Sequence, residues 1–191
     1  MPGLDHFGWL APLYERVIKP RLSDPLYEVA GLPVKGMLLD TGGGTGRIAQ
    51  NLVGLAGQVV VADLSLQMLK EAVKKDHLKV VNSASERMPF PDNLFERILM
   101  VDALHHVWDQ VQTARELYRV LAPGGRLVIE EPDVRHWGVK LVALGEKIAL
   151  MRSHFLTPPR IASLFAWPGA RVEILQNGAT SYIVVDRSVQ G

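Results

Sequence analysis

The chain has 191 residues, of which 48% are hydrophobic and 21% charged, and its formal net charge is +1. That length supports one domain with a substantial core, and so even a balance of charge argues against a broad nucleic-acid surface. With no cysteine, disulfides, thiolate nucleophiles and cysteine-ligated metals are excluded.

Residues 1–33 precede any strand pattern. Phe7, Leu10, Leu13, Tyr14, Val17 and Ile18 recur at helical spacing and Pro20 ends the run, which predicts a helical cap. Asp5 and His6 interrupt the early apolar residues, and no run of about 18 apolar residues follows. The expectation is a cytoplasmic protein without a signal segment or membrane span.

From residue 36 strands and helices alternate. Strand one is predicted at 36–41, followed by a helix at about 45–56 with Ile48, Leu52 and Leu55 inward. Strand two falls at 58–63, where Val59, Val60 and Val61 favour an extended chain. Ser65 caps a helix whose apolar face is Met68, Leu69, Ala72 and Val73. Strand three is predicted at 78–82, a loop at 83–94 and strand four at 97–101. A helix at about 109–121 aligns Val111, Ala114, Leu117 and Leu121. Ala122-Pro123-Gly124-Gly125 turns into strand five at 126–130.

The last third is different. Trp137, Leu141, Leu144, Ile148 and Met151 suit one helix face, and Pro158-Pro159 opens a short helix through Phe165. Two extended runs, 170–176 and 181–186, flank Asn177-Gly178, a hairpin signal. The predicted fold is α/β: a Rossmann-like doubly wound sheet, mostly parallel, with an antiparallel C-terminal strand pair and helices on both faces. A single domain over 1–191 is expected. Its parts are a helical cap at 1–33, a cofactor-binding core at 36–131, a helical lid or substrate wall at 137–166, and terminal strands at 170–186.

The chemistry concentrates at Asp40-Thr41-Gly42-Gly43-Gly44-Thr45-Gly46. A glycine-rich turn between strand and helix lets a ligand approach the backbone. The dinucleotide pattern G-x-G-x-x-G fails from Gly42, because Arg47 stands sixth. The looser form ending in alanine fits from Gly44 through Gly46 and Ala49. Asp63, ending strand two, can accept from both hydroxyls of a ribose, which suits any adenosine cofactor. Asp40 separates the candidates. A carboxylate beside a pyrophosphate is repelled, whereas beside an ammonium group it is attracted. S-adenosylmethionine carries such a group; Asp40 could also simply tie the glycine turn.

These segments resemble the class I S-adenosylmethionine-dependent methyltransferases, closest to the small type-11 branch that includes the quinone-ring methyltransferases. The resemblance covers residues 36–131. It rests on the glycine loop, Ala62-Asp63-Leu64-Ser65 with Met68-Leu69, and Glu86-Arg87-Met88-Pro89-Phe90-Pro91-Asp92. It continues through Phe95-Glu96, Ala103-Leu104-His105-His106, and Leu117-Tyr118-Arg119-Val120-Leu121-Ala122-Pro123-Gly124-Gly125.

It implies S-adenosylmethionine as cofactor and S-adenosylhomocysteine as product. Asp40, Thr41, Gly42, Gly44 and Gly46 would form the loop at the methionine end. Asp63 would hold the ribose, and Leu64 and Met68 would lie against the adenine. Val101 and Asp102 would line the sulfonium side, and Tyr14 would close over the ligand. Many family members carry an acidic residue that accepts from the adenine amino group. Here Ala84 stands in that place, leaving Ser85, a backbone carbonyl, water or nothing as the acceptor. Loss of one such bond costs about 0.5–1.5 kcal/mol.

Methyl transfer from a sulfonium needs alignment and exclusion of water more than a catalytic triad. His106 is the one candidate base, with packing of His105 and His106 as the plainer reading. Glu130, Glu131 and Asp133 either bind a polar substrate or are solvated. The expected acceptor is a small or lipid-like molecule, with no nucleic acid, no metal, and a monomer or homodimer as the unit. An NAD(P)-dependent oxidoreductase and a cofactor-binding module without catalysis are the rival readings.

Overall fold

Runs of β-branched and other apolar residues set the sheet, because each central strand must be covered on both faces. The computed structural model describes residues 24–135 and 154–189. Helix α1 (Asp24–Ala30) precedes β1 (Met37–Thr41), β2 (Gln58–Asp63), α2 (Leu66–Ala72), β3 (Leu78–Asn82) and β4 (Phe95–Val101). Then come α3 (Gln110–Val120), β5 (Leu121–Pro132), α4 (Pro158–Ser163), β6 (Ala170–Asn177) and β7 (Thr180–Arg187).

The seven strands lie in the order β3-β2-β1-β4-β5-β7-β6. The first five pair in parallel, and β7 runs antiparallel to both β5 and β6. This is the expected mixed sheet. One face packs Leu39, Ile98, Leu127 and Ile129 with Ala114, Leu117 and Phe165. The other packs Leu38, Val59, Val61, Leu99 and Val128 with Leu26, Leu52 and Leu69. The order reverses between β1 and β4, so their carboxyl ends open a crevice suited to a ligand.

Several local expectations change. The helix at 45–56 is only a 3-10 segment, Ala49–Leu52. Gly46 at φ +72° and Gly54 at φ +86° bound it, leaving no room for a longer α-helix. Leu52 is buried there, while Ile48 and Leu55 are only partly so. Val73 caps α2 at 61% exposure, and Val111 is 48% exposed; the inner face of α3 is Thr113, Ala114, Leu117 and Val120. Strand β5 begins at Leu121, with the Pro-Gly-Gly stretch inside it as an irregularity in the pairing with β4. The hairpin turn lies at Gly178-Ala179, since Asn177 still pairs with Thr180. Tyr14, the N-terminal cap and the helix expected around Trp137–Met151 lie outside the described residues.

Candidate active site

Strand β1 delivers Asp40 and Thr41 to the crevice, both buried. The chain then turns, with Gly42, Gly44 and Gly46 all at positive φ. Gly42 has a second reason to lack a side chain: a Cβ there would sit 2.5 Å from the Ala103 Cβ, in the loop after β4. The two loops therefore meet at this point. The Gly42 N–H donates to the Ala62 carbonyl at 2.7 Å, anchoring the turn on β2.

Asp63 ties the second loop to the first. Its Oδ2 accepts the Gly44 N–H at 2.9 Å and its Oδ1 accepts the Ser65 N–H at 2.7 Å. Each carboxylate oxygen has two acceptor directions, so capacity remains for further donors. Ser65 in turn caps α2 through Met68 N at 3.4 Å. Met68 is buried and Leu64 is 73% exposed.

Asp40 is the unusual group. It is 1% exposed, and its Oδ2 has no hydrogen-bond partner. That oxygen lies 2.6 Å from where a Cβ on Gly43 would be, directly against the glycine loop. Burial raises its pKa to about 7, helped by the nearby Asp63 carboxylate; a backbone hydrogen bond from Ala49 and the charge of Arg47 oppose the shift. A buried acceptor without a donor, beside a second carboxylate on Asp63, fits an ammonium group better than a pyrophosphate.

At the end of β3, Ser85 Oγ and Thr41 Oγ1 are 3.0 Å apart. Ala84 is half-buried, and the buried Ser83 Oγ has no partner. At the end of β4, Val101 is half-buried and Asp102 adopts φ +50°, a strained value for a non-glycine residue. Its N–H donates to the Glu130 carbonyl at 2.9 Å.

The histidine pair divides its roles. His105 is buried, with Nδ1 2.5 Å from Glu131 Oε2. The other carboxylate oxygen of Glu131 accepts the Leu104 N–H at 2.7 Å. The His105 ring stacks on Phe155, centroids 4.2 Å apart, and lies 4.0 Å from His106. Burial, then the neighbouring His105, lowers the His106 pKa to about 4. His106 is thus neutral at physiological pH and a weak proton acceptor, better suited to orienting a donor than to removing its proton.

Glu130 stands apart from Glu131. Burial raises its pKa to about 7, and the Asp102 carboxylate adds to the rise. Strand alternation could have revealed this split, since adjacent residues face opposite sides of a sheet. Asp133 is buried and held by the Arg135 guanidinium and by Gln176 Nε2 at 2.8 Å. The structure thus brings the predicted loop, β2, β3 and β4 residues to one edge of the sheet, together with Glu130, Glu131 and His105, and pairs the last two.

Known proteins agree with this geometry. Residues 39–129 match a family described as a methyltransferase domain. The chain is 36% identical over 114 residues to the ubiquinone/menaquinone biosynthesis C-methyltransferase UbiE of Pectobacterium carotovorum, an overlap of 54% of this chain and 45% of that protein. The chain spans about half the length of the curated relatives it matches. Among solved structures, a SAM-dependent methyltransferase from Thermotoga maritima superposes with a TM-score of 0.74 at 20% identity, covering 94% of this chain and 97% of that one. The cyclase SpnF superposes with a TM-score of 0.72 at 18% identity, covering 88% and 81%. Such distant likenesses carry the fold and not the chemistry. The matched core, residues 39–129, is similar to a methyltransferase domain, and the likenesses together support a class I S-adenosylmethionine-dependent methyltransferase of the type-11 branch.

Proposed function

We propose that this protein is an S-adenosylmethionine-dependent methyltransferase acting on a small-molecule acceptor. The observation that carries the reading is Asp40, a buried carboxylate with one unpartnered oxygen against the glycine loop. The α-ammonium group of an amino-acid end supplies the donor this oxygen lacks. A dinucleotide pyrophosphate would add repulsion at the same place, which weighs against the oxidoreductase reading.

In this proposal the Gly42–Gly46 backbone and Asp40 hold the methionine end. Asp63 bonds the ribose with its remaining acceptor capacity. Met68 and Leu64 flank the adenine, and Ala84 and Ser85 border it. Val101 and Asp102 face the reacting centre. The cofactor supplies an activated methyl group on a sulfonium. The protein's own contribution is then alignment and exclusion of water. Neutral His106 orients the acceptor without placing a second cation beside the first.

The quinone-ring chemistry in the names of the curated relatives makes a small aromatic acceptor with apolar character the first class to test. No described helix is long and apolar enough to cross a membrane; a cytoplasmic location, a single domain, and a monomer or homodimer belong to the same proposal. The test is methyl transfer from labelled cofactor across hydroquinones, phenols, small amines and acids. Transfer to one class supports an enzyme. Tight cofactor binding with no transfer to any would favour a non-catalytic module.

A further inference from the structure

The neighbouring glutamates of β5 serve opposite faces of the sheet. Glu131 shares the face of Leu127 and Ile129 and is taken by His105 and the Leu104 N–H. Glu130 shares the face of Val128, together with Leu38, Val61 and Leu99. By the same alternation Asp40 and Asp63 lie on that face. Glu130 is half-buried, and among the described residues its carboxylate makes no hydrogen bond or ion pair.

Its surroundings are mainly acidic. Asp102, just past the end of β4, follows Val101, the register partner of Glu130, and its carboxylate repels that of Glu130. Glu131 adds to the repulsion, Arg47 relieves it among the described residues, and Tyr182 lies opposite on β7. Arg47 also serves Asp40, so one cation is shared between two carboxylates. A second feature independently points to a positive ligand: the buried, unpartnered Oδ2 of Asp40.

We propose that Glu130, with Asp102, makes the site charge-selective, favouring a ligand with a cationic sulfonium or ammonium centre over its neutral thioether counterpart. This rests on the cofactor reading above and adds a specificity-determining residue to it. Methyl transfer turns the sulfonium into a thioether. With the positive charge gone, ionised Glu130 loses its partner, takes up a proton, and the grip on the product weakens. Asp40 does not produce this discrimination, because the amino-acid end is common to cofactor and product.

Calorimetry on the whole chain tests the idea with three probes: S-adenosylmethionine, its amine analogue sinefungin, and S-adenosylhomocysteine. Between about pH 5.5 and about pH 7.5, the preference for either cationic ligand over the thioether should grow roughly fivefold or more. In Glu130→Gln that preference should become independent of pH, with affinity for the thioether kept within about twofold. A pH-independent preference in the wild type overturns the inference, and that measurement stands even if the variant fails to fold. Equal pH dependence in wild type and Glu130→Gln overturns it too. If the thioether binds but the preference is flat, only this inference fails; if none of the three binds, the cofactor reading fails with it.

Discussion

Asp63 accepts the Gly44 N–H at 2.9 Å, joining the end of β2 to the middle of the glycine loop. The same carboxylate accepts the Ser65 N–H, so one side chain sets the spacing of two loops at the crevice. Asp63→Ala removes both bonds and the proposed ribose contact. Each hydrogen bond to a charged group contributes about 1.5–3 kcal/mol. Cofactor affinity should fall at least tenfold, roughly the effect of 1.4 kcal/mol. Calorimetry with S-adenosylhomocysteine checks this, and unchanged affinity would remove Asp63 from the site.

Asp40 makes stability and binding pull in opposite directions. Its folded pKa of about 7 lies well above the ordinary carboxyl value of 3.8. The folded state therefore holds the proton more tightly than the unfolded chain, and this group's stability contribution is lost as pH rises from about 4 to about 7. Asp40→Asn removes the charge and retains an acceptor for the Ala49 N–H. Urea unfolding should find the variant more stable than wild type by about 1–4 kcal/mol near pH 8, with the gap closing near pH 4. Its cofactor affinity should nonetheless fall. A stability difference independent of pH would contradict a buried carboxylate with one unpartnered oxygen.

Glu131 should matter for stability before it matters for chemistry. Its two oxygens satisfy His105 Nδ1 and Leu104 N in a buried setting. Glu131→Ala leaves both donors stranded and should cost about 3–5 kcal/mol, read from the denaturation midpoint. Glu131→Gln keeps one acceptor oxygen and should lose less. Equal losses in the two variants would mean that the carboxylate's charge and second acceptor oxygen, which both variants remove, dominate there.

Ala84 offers a gain. With an acidic acceptor restored, Ala84→Asp should tighten cofactor binding by about 0.5–1.5 kcal/mol. Titration with S-adenosylhomocysteine measures it. Weaker binding would place the adenine edge elsewhere, with the unpartnered Ser83 hydroxyl the next position to examine.

Much of the fold was legible because strand signals are local. Gln58–Asp63 and Leu78–Asn82 fall where their Val-rich runs end, and Ser65 caps α2 as its residue type suggests. The helix after the glycine loop was not legible, because its apolar spacing gave no warning of the backbone angles at Gly46 and Gly54. At the site, glycines and strand-end acids marked the crevice. The His105–Glu131 pair spans 26 residues and exists only because β4 and β5 lie side by side. The burial that shifts Asp40 and Glu130 is likewise a property of packing, and no spacing in the sequence encodes it.

The most direct test is calorimetry of the purified chain with S-adenosylmethionine, S-adenosylhomocysteine and NAD(H) in parallel. The expected result is one-to-one binding of the first two, abolished or strongly weakened in Asp63→Ala, and no tight binding of NAD(H). Tight NAD(H) binding with neither adenosyl ligand retained would contradict the proposed function.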